Sequence, residues 1–214
     1  LASCEGVLLL IDAAQGVQAQ TLANLYLAME HNLEVIPVIN KIDLPSADID
    51  RVLEEIDSEL GLDPDTHLKA SAKEGIGIAE ILEAIIERIP PPKGSEAYPL
   101  AALIFDAKYD AYRGTIIHCR IFEGSVKAGD IIRFMHNNAA YKVEEVGHFL
   151  LQRTKRDRLS AGEVGYIIAG VKTVSDVRTG DTITHQDKPC AHPLPGFKEV
   201  KPVVFASIYP IASD

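Results

Sequence analysis

The stretch Glu34–Ser46, "EVIPVINKIDLPS", decides how this chain is read. Glu34 to Ile39 reads as a strand buried inside a sheet, apolar from Val35 onward. An amide, an ammonium and a carboxylate follow within four residues, at Asn40, Lys41 and Asp43, and Pro45-Ser46 then breaks the chain. The same order recurs on either side. Residues 5–11 are an apolar run, Asp12 to Gly16 a turn, and Leu22, Leu25 and Met29 mark a helix over 18–31. Beyond the break, Ile49, Val52, Leu53, Ile56 and Leu60 fall at helical spacing, with Ser46 or Asp48 to cap the first turn. His67–Ala70 reads as a short strand, Ser71–Gly77 as a loop, and Ile78, Ile81, Leu82, Ile85 and Ile89 as an amphipathic helix. Strands alternating with helices predict a parallel sheet with helices on both faces. Ligands in such sheets sit at the carboxyl ends of the strands. Both Asn40–Asp43 and Ser71-Ala72-Lys73 follow strands, so both belong to that edge.

Pro90-Pro91-Pro92-Lys93-Gly94-Ser95 cannot continue a helix, and the pattern changes beyond it. Six short β-like runs follow, at 100–109, 115–122, 130–135, 141–151, 164–169 and 181–184, with glycine turns at Gly124, Gly129, Gly162 and Gly180. The acidic residue after such a glycine can accept from turn amides. Strands without intervening helices predict a small closed barrel. The expected organisation is therefore an α/β domain over 1–90, a linker over 91–98, a barrel over 99–190, a second linker over 191–199 and the first strand of a further domain over 200–214.

The chain has 214 residues, and no apolar run approaches the roughly 20 residues needed to span a bilayer. Its first residues read as the middle of a pattern, as in a piece of a longer protein. Cys4, Cys119 and Cys190 are widely spaced, with no CxxC pair and no zinc-ligand spacing, and read as reduced thiols. The net charge of −10 is uneven: residues 1–90 hold 17 acidic and 5 basic side chains, whereas 91–214 hold 14 and 16. An acidic first part argues against general polyanion binding there, and the second can present a local basic face. The one basic cluster is Arg153, Lys155, Arg156 and Arg158. It fits ribosomal RNA phosphates, and equally a solvated barrel loop, since Asp157 interrupts it and no aromatic residue interleaves. None of the seven histidines has a Ser or Cys partner at a nucleophile spacing, and Glu54, Glu55, Asp57 and Glu59 read as a solvated helix face.

A guanine base presents N1–H and a 2-amino group as adjacent donors, which one carboxylate can accept together. Adenine has an acceptor at N1 and no 2-amino group, so the same carboxylate repels it. Asp43 suits this role; Asn40 can bond N7 and tether neighbouring loops, and the stem of Lys41 can lie against the ring. A solvated turn after a strand has the same composition. The second loop separates the two readings: Ser71 lies 28 residues after Asp43 with one helix between, its hydroxyl can steady the loop, and an N–H near Ala72 can meet O6.

These residues resemble the guanine-reading N-K-x-D and S-A-K elements of the translational GTPases. "CEGVLLLIDAAQGVQAQT" at 4–21 is similar to their strand and loop after the second switch, and "AGD", "LSAGEVGYI" and "RTGDTIT" to their second domain. "DAYRGTI" at 110–116 and "PLPGFKEVKPVVFASIYPIASD" at 193–214 point to one member in particular. The resemblance implies the C-terminal half of a P-loop GTPase domain, then an all-β barrel, the nucleotide being bound by Asn40, Lys41, Ile42, Asp43, Ser71, Ala72 and Lys73. It implies a parent that hydrolyses GTP to GDP with Mg²⁺ and acts as a monomer on the ribosome, its RNA and proteins, and tRNA. The task implied is in translation elongation, returning tRNAs across the translocation step, in the cytoplasm and peripherally at the inner face of the membrane. A phosphate loop needs G-x-x-x-x-G-K-[ST], and Gly-Lys does not occur in this sequence. The phosphate and Mg²⁺ ligands are then expected ahead of Leu1, with the chain inactive alone. The other readings are a non-enzymatic binding module and a piece of a sibling translation factor.

Overall fold

The computed structural model describes residues 1–172 and 176–196, and the chain divides into two compact units, Leu1–Lys93 and Gly94–Asp214. The strand expected over 200–214 lies outside the described residues.

In the first unit β1 (Gly6–Asp12), α1 (Ala19–Glu30), β2 (Glu34–Asn40), α2 (Ile49–Ser58), β3 (Leu68–Lys69) and α3 (Ile78–Arg88) alternate. The strands form a parallel sheet in the order β1-β2-β3, with Gly6 opposite Glu34, Asp12 opposite Asn40 and Ile39 opposite Lys69. β2 is buried on both faces because its residues serve two cores. Ile39 joins Leu9, Ile11, Leu25, Val52 and Ile56, drawn from β1, α1 and α2. Ile36 and Val38 pack instead with Ala70 and Ala84, the last from α3. Helices thus cover both faces, and the continuous apolar run of β2 is the consequence. Asp48, not Ser46, caps α2 by accepting the Arg51 N–H at 3.2 Å.

Among the described residues of the second unit every strand pairing is antiparallel. The strands among those described residues are β4 (Ala101–Asp110), β5 (Gly114–Glu123), β6 (Ser125–Lys127), β7 (Ile131–Phe134), β8 (Ala140–Lys142), β9 (Glu145–Phe149), β10 (Arg153–Arg156), β11 (Arg158–Ser160), β12 (Val164–Ile168) and β13 (Thr182–His185). Eight pair in the order β10-β9-β12-β5-β4-β13-β7-β8, and β11 pairs with β6. Both sheets contribute to one apolar interior, with Ile104, Ile117, Ile121, Phe134, Val146, Ile167 and Ile183 from the larger and Val126 and Leu159 from the smaller. This is the expected barrel, with more strands. The single run expected over 141–151 is two strands, because the chain changes partner between them. β8 pairs with β7, the Val143 N–H then bonds the Asp130 carbonyl and the Glu144 N–H the Ile168 carbonyl, and β9 continues on β12. β6 and β11 have three residues each, too short to show a period, and β10 has no apolar residue to alternate.

Turn chemistry follows the sequence. Gly124 has φ +73, and a Cβ there would lie 2.7 Å from the backbone nitrogen of Leu100, so only glycine permits the approach. The acidic residues after the other turn glycines accept amides: Asp130 from Lys127 at 3.0 Å, Glu163 from Ser160 at 2.6 Å and Asp181 from His136 at 3.1 Å. The cysteines are unpaired, and burial pushes the Cys119 thiol up to about 12, which leaves it protonated and inert.

Phe134 is fully buried and its ring lies 5.6 Å from that of Tyr141. Phe134→Ala is expected to lower the unfolding free energy of the barrel by about 3–5 kcal/mol, measured by urea denaturation followed by circular dichroism.

Candidate functional site

The carboxyl ends of the three parallel strands bring the two polar loops together. The Ala70 N–H donates to the Ile39 carbonyl at 2.8 Å and the Ile42 N–H to the Ala70 carbonyl at 3.3 Å, so the chain leaving β2 stays beside the chain leaving β3. On the other side the Ala13 N–H donates to the Asn40 carbonyl at 2.8 Å.

Lys41 has φ +66, a left-handed conformation that costs a residue with a side chain roughly 1–2 kcal/mol. The reversal tucks Ile42, half-buried, against the Leu9–Ile39–Val52 core and leaves Asp43 exposed beyond it. Ile42 is therefore the anchor of its loop. The Lys41 ammonium lies 2.7 Å from Asp12 Oδ2, while Asp12 Oδ1 accepts the Ala14 and Gln15 amides at 2.8 and 3.2 Å. The hydrogen bond from Lys41, with those amides in support, holds the Asp12 carboxyl below the usual carboxylate range.

The second loop is closed on itself by paired bonds between Ser71 and Ile76, at 3.0 and 3.1 Å. Gly77 then starts α3 at φ +76, where a Cβ would lie 2.0 Å from the Lys69 carbonyl oxygen. Ser71 is fully buried, and its hydroxyl donates to Asp43 Oδ1 at 2.6 Å while accepting the Glu74 N–H at 3.2 Å. The Ala72 N–H donates to Asn40 Oδ1 at 3.1 Å. Two hydrogen bonds thus stitch the loops together, Ser71 to Asp43 and Ala72 to Asn40.

The electrostatics keep Asp43 ionised. The Ser71 hydroxyl, first, and the nearby Lys73 and Lys41 charges lower its pKa, against a desolvation that acts the other way. With one oxygen engaged by Ser71, a carboxylate still has lone pairs to accept further donors. Asn40 spends its oxygen on Ala72, so its NH₂ end is the one left to donate outward. The Ala72 N–H itself is engaged by Asn40 Oδ1. The Lys73 ammonium is 81% exposed and lies 3.3 Å from Glu74, so it joins the loop at its rim.

Two residues here carry more than the sequence reading gave them. Asp12 ends β1 directly opposite Asn40; the signal was an acid closing an apolar run in the same way that Asn40 closes the next. Glu55, expected on a solvated face, accepts the Val17 N–H at 2.7 Å and pairs with Arg51 at 2.6 Å, while Arg51 donates to the Ala14 carbonyl at 2.9 Å. Only the i, i+4 spacing of Arg51 and Glu55 hinted at this.

In the barrel the basic cluster is not a loop. Arg153, Lys155 and Arg156 lie on β10, an outermost strand exposed along its length, and Arg158 on β11. The cause is pairing: Arg153 stands opposite Phe149 and Arg156 opposite Val146 on β9, and backbone bonds need no apolar side chain on the outermost strand. Arg158 is held by Glu96 at 3.2 Å, so it is the least available of the four.

Comparison with known proteins places these observations. Residues 1–91 match the family model for the elongation factor Tu GTP binding domain and residues 114–184 that for elongation factor Tu domain 2. Over all 214 residues the chain is 80% identical to elongation factor 4 of Syntrophus aciditrophicus and 67% identical to elongation factor 4 of Syntrophobacter fumaroxidans, covering 36% of each. It is 57% identical to elongation factor 4 of Borreliella burgdorferi, covering 35% of that protein. The chain thus spans about a third of the length of these relatives.

Ser71→Ala removes the hydroxyl that lowers the Asp43 pKa. The Asp43 carboxyl should then titrate at higher pH, towards the ordinary carboxylate value, so that its negative charge is lost earlier as pH falls. A carboxyl-carbon NMR titration of the variant and parent reads the midpoint directly, and equal midpoints would remove Ser71 as the cause.

Proposed function

We infer that this chain, which belongs to the translational GTPase family, supplies the part of the nucleotide site that selects guanine. The observation that carries the reading is the pair of bonds from Ser71 to Asp43 and from Ala72 to Asn40, which hold a carboxylate and an amide side by side at the sheet edge. Asp43 accepts from N1–H and the 2-amino group, the NH₂ of Asn40 donates to N7, and the stem of Lys41 flanks the ring. Ile42, Ser71, Ala72 and Lys73 fix the loops that present these groups.

In the parent protein the nucleotide is GTP or GDP, and hydrolysis of GTP on the ribosome is the activity this site serves. Mg²⁺ would supply neutralisation of the phosphate charge there. Among the described residues there is no group of three His, Cys, Asp or Glu side chains that could hold a metal ion. By itself the chain neither hydrolyses GTP nor holds it tightly. Relatives named elongation factor 4 favour the GTPase reading over a free-standing binding module or a sibling factor. A task in elongation that moves tRNAs back across the translocation step, performed by a monomer in the cytoplasm, extends the resemblance, as does peripheral contact with the membrane's inner face. No helix among the described residues is long and apolar enough to cross a membrane.

The barrel faces ribosomal RNA through β10. Arg153, Lys155 and Arg156 present three cations along one exposed strand, and phosphate contacts of this kind carry sequence-independent affinity.

Two experiments on the full-length protein test these assignments. Asp43→Asn should weaken GTP binding about tenfold or more, as loss of charge-assisted bonds to two donors implies, and should favour xanthosine triphosphate, whose base carries a carbonyl in place of the amino group. Competition titrations with the two nucleotides measure the change, and a retained preference for guanine would exclude Asp43. Replacing Arg153, Lys155 and Arg156 with Ala should weaken ribosome binding and flatten its dependence on salt, while Arg158→Ala, already paired with Glu96, should have the smaller effect.

A further inference from the structure

Asp12 belongs to neither recognition element, yet it is the fixed partner of a residue that does. Its side chain is 16% exposed and that of Lys41 55%, so the carboxylate is the anchored end of the pair and the lysine the free one. Three sets of contacts immobilise the anchor. β1 places Asp12 opposite Asn40; the Ala14 and Gln15 amides hold its second oxygen; and the loop that carries those amides is itself tied to α2, through Arg51 on the Ala14 carbonyl and Glu55 on the Val17 N–H. Gly16 in that loop has φ +73, where any side chain is strained, and a Cβ there would displace the Glu55 carboxylate, whose Oε2 lies 2.1 Å from that position. At the other end Lys41 sits in a left-handed conformation that its own backbone disfavours. A long flexible stem on a strained residue does not keep one orientation unaided.

We propose that Asp12 is a positioning residue for the base-reading loop: by holding the Lys41 ammonium it fixes the stem beside Asp43 before the nucleotide arrives. The proposal rests on the guanine-reading assignment above. Asp12 touches no part of the nucleotide in this scheme; it acts through Lys41. Its effect is to pre-pay the ordering of one side chain, and that advantage is lost as a faster release of nucleotide, with no change in which base is preferred.

The test uses the full-length protein and GDP carrying a fluorescent label on the ribose. Asp12→Asn keeps an oxygen for the Ala14 and Gln15 amides and removes the charge, and Lys41→Met keeps most of the stem and removes the ammonium. Each should speed GDP release about two- to fivefold, the range expected for a partly exposed ion pair, and the double variant should release GDP no faster than either single one. Guanine preference over xanthine should stay at the parent value. Parent-like release from Asp12→Asn overturns the proposal, as do losses that add in the double variant or a lowered thermal midpoint with unchanged release. If Asp43→Asn leaves guanine preference intact, the base-reading assignment itself falls. If Asp43→Asn shifts the preference while the Asp12 and Lys41 effects add, only the positioning role falls.

Discussion

Burial of β2 on both faces is the constraint from which the rest of the first unit follows. Ile36 and Val38 are committed to one core and Ile39 to the other, so a shift of one residue would exchange the two sets. With the register fixed, the strand can end in only one place, and the first residue free to be polar is Asn40, level with Asp12 on the neighbouring strand. The polar trio is therefore positioned by apolar packing several residues away. Ile42 repeats the device inside the loop, returning a hydrocarbon to the core before Asp43 is released to the surface.

Much of this was legible because the relevant signals are local. The apolar run, the break at Pro45 and the helical spacing beyond it are properties of neighbouring residues, and they gave the alternation, the sheet edge and both loops. The division of labour inside the site was less legible, because it depends on contacts across the sheet. That the Ala72 N–H would be taken by Asn40, or that Lys41 would reach Asp12, follows from the parallel register and not from either segment alone. Glu55 shows the same limit: an acidic helix face looks solvated until the loop that needs its carboxylate is folded against it.

The barrel failed to be fully legible for a different reason. A strand announces itself by alternation only when one face is buried, and β10 buries neither face of Arg153–Arg156. Its place is dictated by β9, whose outer backbone groups it satisfies, and its charges suit an outermost strand, since cations there discourage pairing with other chains. That purpose and phosphate binding call for the same residues. Arg158 separates from its neighbours on geometry, being spent on Glu96.

The site illustrates how loops of ordinary polar residues become selective. Asn40, Asp43 and Ser71 each satisfy a partner in the opposite loop, so their orientations are set before any ligand is present, and the remaining lone pairs and protons point outward in a fixed pattern. A few hydrogen bonds at an exposed edge are each worth only about 0.5–1.5 kcal/mol net, somewhat more where a charge is involved. They therefore hold a base weakly, while a carboxylate facing the wrong acceptor rejects it strongly. On the proposed assignment selection and affinity are separable: the two loops would decide which base is acceptable, and tight binding would come from contacts to the phosphates.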